Sequence, residues 1–239
     1  MKEMTMTMNR TTTAGWSALA FVAAVVGLNI VENVGTSRPD PTASAGEIAE
    51  WAVDADAYLW ATTLLVPMAW VFLTIVAATL WAEARARGLD PFHPLLGAIG
   101  AAMTMGTLSA AVAADAVMIA TVDRLGIDVI EALSRFASVL FLFNWVALAI
   151  ALYGLSRTTV AIGLTPRWLD RLSVAGSAAL LLGALQSGLI LNDVLPGILV
   201  GLAGFLAWLL YLVVTGLRLT RPFDRVGIPL GDELPTAVN

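Results

Sequence analysis

Six stretches of this chain, each close to twenty residues or longer, contain no charged side chain: Ala14–Val31, Ala57–Ala82, Pro94–Ala114, Phe136–Ser156, Leu172–Asn192 and Val194–Leu217. A helix rises 1.5 Å per residue, so about 20 residues cross the roughly 30 Å hydrocarbon core of a bilayer. All six runs reach or approach that length. They predict an all-α, polytopic membrane helix bundle with six transmembrane helices. The expected spans are about 14–34, 57–82, 95–121, 136–156, 172–192 and 196–217. Polar segments 1–13 and 218–239 flank them as tails on the cytoplasmic side.

Composition supports that class. Charged residues make up 13% of the 239-residue chain, against about 25% in soluble domains. The chain has too few polar side chains to cover a water-exposed surface. With no cysteine, disulfides, thiolate catalysis and Cys-ligated metal centres are excluded. A single histidine, His93, leaves no multi-His metal site. We expect no cofactor. The net charge of −5 and the lack of a basic run argue against a nucleic-acid partner.

The basic residues also predict orientation. With six crossings, Lys2, Arg10, Arg85, Arg87, Arg157, Arg167, Arg171, Arg218, Arg221 and Arg225 fall on one side, and Arg38, Arg124 and Arg135 on the other. Ten against three accounts for all 13. The richer side is expected to be cytoplasmic, with both termini inside a bacterial plasma (inner) membrane. Lys2, Arg10 and the first apolar run could also form a signal peptide. The run is long for one and lacks a small-x-small cleavage site before Gly35, so a retained helix is expected.

Shorter signals fill the connections. Ser44 and Glu47 have capping-box spacing and predict a short surface helix through about Val53, with Ile48, Trp51 and Ala52 opposite Glu47, Glu50 and Asp54. Pro67 should kink the second span or free a carbonyl. Tyr58 and Trp60 read as one aromatic belt and Trp81 as the other. Asp123–Arg135 predicts a separate surface helix. Thr165 before Pro166 predicts a helix start with Thr165 as N-cap. Asn192–Gly197 predicts a tight hairpin turn. The third span is rich in Gly, Ala, Ser and Thr, which predicts a central, surrounded helix.

Chemistry concentrates on few residues. Asp115 is the one carboxylate set deep within an apolar run, a placement costing about 2.5–3.5 kcal/mol on insertion scales. Thr104, Thr107, Ala111 and Asp115 share a helical stripe. Glu32, Asn29, Asn144 and Gln186 are the other candidates, all placed by the predicted topology in the outer half. Together these five predict an outer-half polar pocket for a lipid or small amphiphile, with the bilayer as partner and no catalytic role assigned. The alternatives are an enzyme using Asp115, perhaps with Glu32, as acid/base, and a carrier protonated at Asp115. Interhelical hydrogen bonding would explain the same amides without a ligand. No phosphate loop, nucleotide fingerprint, HExxH or nucleophile elbow occurs.

Two segments carry a family likeness. Ser44–Gly88 joins a small-x-x-Glu surface helix to a long helix ending Trp-Ala-Glu-Ala-Arg-Ala-Arg-Gly, and Leu164–Leu185 sets Thr-Pro-Arg-Trp-Leu before a Gly/Leu-rich helix. In these the chain resembles the small six-helix integral membrane proteins of unknown function common in actinobacteria. The resemblance implies fold and location, and no catalytic residue.

Overall fold

The computed structural model describes residues 2–35, 39, 43–186 and 195–221, with side chains from Arg10 onward except at 35 and 195–197. Among these, seven α-helices and no strands account for the architecture. They are α1 (Lys2–Ile30, followed by a π turn Val31–Gly35), α2 (Ala45–Val53), α3 (Asp56–Ala86), α4 (Phe92–Thr121), α5 (Ile127–Ala161), α6 (Arg167–Leu185) and α7 (Leu195–Leu219). Six of them, all except α2, are long and apolar enough to cross a membrane.

The long helices close a ring. α1 packs on α3, α3 on α4, α4 on α5, α5 on α6, α6 on α7, and α7 returns to α1. α5 also reaches across to α3 and α7. This corrects the expectation that the Asp115 helix lies at the centre. Half of the apolar window of α5 is buried (50%), against 28% of that of α4. The small residues of α4 do bring a backbone close, but the partner is one helix. A Cβ on Gly100 would fall on the Ala151 backbone, and one on Gly154 would fall on the Gly97 backbone. Farther along, Thr107 meets Asn144. Each step along α4 is matched by an equal step back along α5, so the pair is an antiparallel zip in strict register.

Other boundaries shift for identifiable reasons. The capping box is present as expected: the Ser44 N–H donates to Glu47 Oε2 at 2.8 Å, and the Glu47 N–H donates to Ser44 Oγ at 3.3 Å. α2 buries Ile48 and Ala52 and packs on α4 and α5. The Met1–Thr13 segment was expected as a polar tail outside the first helix, yet α1 starts at Lys2 and buries Thr11. Residues 127–135 form the first turns of α5 instead of a separate helix, because a short 3-10 turn at Val122–Arg124 completes the reversal. The N-cap of α6 is Pro166, not Thr165, whose hydroxyl turns to Thr159. α3 runs through Pro67 without a break. The expected hairpin turn lies mostly outside the described residues, as does the tail from residue 222.

Candidate functional site at the Asp115 end

Asp115 is 3% exposed. The Tyr58 hydroxyl donates to its Oδ2 at 3.0 Å, bridging α3 and α4. Tyr58 reaches that position because it continues the buried face of α3 (Tyr58, Thr62, Val66, Ala69, Leu73), which repeats every three or four residues. This corrects the reading of Tyr58 as a belt aromatic. Its neighbour Trp60 is 75% exposed and fits that role, while Tyr58 is buried.

α2 covers the pair. Trp51 meets the Tyr58 ring edge-on at 5.4 Å between centroids. Ala52, Ala55, Tyr58 and Ile119 pack together, and Ile48, Met118 and Ile130 form an adjoining cluster. Four helices thus enclose Asp115: α3 supplies the hydroxyl, α4 the carboxyl, and α2 and α5 the apolar cover. On α2, Glu47 is exposed, and its carboxyl is held below the usual range, first by the Ser44 backbone N–H and then by the Ser44 hydroxyl.

The other predicted residues disperse. Asn144 is 5% exposed and accepts from Thr107 Oγ1 at 3.0 Å. It lies two turns along α4 from Asp115, which is about 12 Å at 1.5 Å per residue. Asn29 is exposed, and its amide donates to the Val25 carbonyl of its own helix at 2.9 Å. Glu32 is half-buried in the π turn after α1. α1 packs on α3 and α7, whereas α4 packs on α3 and α5. Gln186 was expected about six residues inside its helix. It is instead the C-cap, its N–H donating to Leu182 O and Gly183 O, because α6 ends at Leu185. The structure therefore joins Asp115 to Tyr58 and Asn144 to Thr107, and leaves Asn29 bonded within its own helix.

A second polar region, at the opposite end, was not singled out from the sequence. Thr159 and Tyr211 hydroxyls lie 3.3 Å apart, Thr165 donates to Thr159, and Arg218 donates to the Leu164 carbonyl at 2.7 Å. Arg157 pairs with Asp170 at 3.1 Å and lies over the Tyr153 ring, which also meets His93. These contacts tie the α5–α6 turn to α7. Thr159 and Tyr211 carry no charge, so they gave no signal against the apolar background. Among the described residues no cluster of three or more His, Asp or Glu could hold a metal. Comparison with known proteins returns no matching family model, curated protein or solved structure.

Proposed function

We propose that this chain is a non-enzymatic, multi-pass plasma-membrane protein that binds a lipid or small amphiphile at the Tyr58–Asp115 site. The observation that carries the reading is the buried Tyr58–Asp115 hydrogen bond beneath α2. A carboxyl in an apolar bundle is costly, and here it meets a hydroxyl at the junction of four helices, one of them short and amphipathic. The basic residues favour an orientation with both termini inside, which puts this junction toward the outer leaflet. A headgroup could bond the Tyr58–Asp115 pair while its chains lie along the exposed apolar faces of α3 and α4. Membership of the small six-helix family belongs to the same proposal. The second reading, an enzyme built on Asp115 and Glu32, has only their shared neighbour α3 in its favour.

The test is native mass spectrometry of the full chain released from nanodiscs made with total bacterial lipid extract. The reading expects a retained lipid adduct whose occupancy falls about tenfold in Asp115→Asn and in Tyr58→Phe, a loss of about 1.4 kcal/mol. Equal occupancy in all three proteins would overturn it.

A further inference from the structure

Midway along α4 a second buried polar group stands out. Thr104 is 4% exposed, and its hydroxyl has no hydrogen-bond partner among the described residues. A buried hydroxyl left in that state costs roughly 1–3 kcal/mol. Thr104 is one helical turn from Thr107, so their Cβ atoms lie about 5–6 Å apart on one face. Thr107 donates to Asn144 Oδ1 at 3.0 Å. That bond uses the amide oxygen and leaves the two Nδ2 hydrogens for another acceptor. On α3, the Trp70 indole nitrogen is also buried without a partner. Trp70 is one turn from Thr74, whose hydroxyl meets Met105 Sδ at 3.6 Å, beside Thr104 in the sequence. The Thr104 hydroxyl and the Thr107–Asn144 bond thus lie one turn apart on the α4–α5 seam near the middle of α4, with Trp70 on the neighbouring α3 about a turn from the Thr74–Met105 contact.

We infer that Thr104, Thr107 and Asn144 hold an internal water molecule at mid-membrane depth. A water suits the chemistry. It accepts from Asn144 Nδ2 and exchanges bonds with the Thr104 and Thr107 hydroxyls, giving the two to four partners that a buried water needs. The site is separate from the Asp115 pair, about 12–16 Å away along α4 at 1.5 Å per residue, and does not depend on what binds there.

Thr104→Val is the deciding substitution, because valine keeps the shape and removes the hydroxyl. An orphaned dry hydroxyl would cost stability, so its removal would leave the unfolding midpoint in bicelles unchanged or raised. A water-bonded hydroxyl gives the opposite sign, a lowered midpoint. Water-to-protein polarisation transfer in solid-state NMR of the wild-type chain in liposomes supplies an independent readout. Transfer should reach the Asn144 amide and Thr104 but not Leu148, and should be lost at Asn144 in Thr104→Val. Absence of transfer to Asn144 in the wild type overturns the inference whatever the midpoint does, and so does an unchanged or raised midpoint. If the valine variant does not fold, the wild-type transfer decides alone.

Discussion

Replacing Tyr58 by phenylalanine removes one oxygen from a packed ring. Interhelical hydrogen bonds in membrane proteins average about 0.6 kcal/mol and reach about 1.7 kcal/mol. Tyr58→Phe should therefore lower the unfolding free energy within that range, measured by steric trapping in bicelles. A loss well above it would mean that the hydroxyl supports more than one contact. At Glu47 the sign of the pH effect follows from its lowered carboxyl. The folded group titrates below the unfolded one, so the cap contributes above the ordinary carboxylate value and is lost as pH falls through the lowered one. Amide exchange in α2 should accelerate below that point, and Glu47→Gln should abolish the change. Asp115 was legible because a charge stands out in an apolar run. Tyr58 was not, because a tyrosine near a span end reads equally well as an interface anchor until the buried face of α3 is traced. Asn29 misled for the opposite reason: a polar residue in an apolar run can satisfy itself on its own helix.

At the scale of elements, helix positions were written into the sequence more plainly than helix partners. The uncharged runs locate six spans, since length and apolarity are properties of each segment alone. Which neighbour a small-residue face meets depends on a second segment, and there the expectation of a central α4 failed. The α4–α5 zip makes a discriminating pair of substitutions. A side chain at Gly100 meets the Ala151 backbone, which cannot swing away, so Gly100→Val should cost about 1–3 kcal/mol by overpacking. Gly106, on the same helix, has nothing within 4 Å of an added Cβ. Gly106→Ala should be neutral or slightly stabilising through helix propensity. Equal effects of the two in thermal unfolding would mean that the zip does not hold. α5, at 35 residues, is about 52 Å long and exceeds the hydrocarbon core by about 20 Å. Its polar first turns, expected as a separate helix, are the excess.

The whole molecule is a ring, and its orientation can be tested cleanly because the chain has no cysteine of its own. Single cysteines at Gly126 and Gly163, both exposed turn positions, report opposite ends. The distribution of basic residues predicts that Cys at 126 reacts with a membrane-impermeant maleimide in intact cells, and that Cys at 163 reacts only after permeabilisation. The reverse pattern would invert the topology and move the Asp115 junction to the inner leaflet. The ring is closed by its two ends: a Cβ on Gly15 would fall 2.7 Å from the Thr220 nitrogen and 2.8 Å from the Gly216 carbonyl oxygen. That closure has a consequence for synthesis. α4 and α5 leave the ribosome consecutively and can zip as a hairpin as soon as both are inserted. α1 is made before α7, yet one of its flanks, around Gly15 and Ala18, stays open in the lipid until α7 is released. Of the contacts in the ring, the one between α1 and α7 waits longest, and a nascent chain stalled before α7 would present that flank to the cell's membrane quality control.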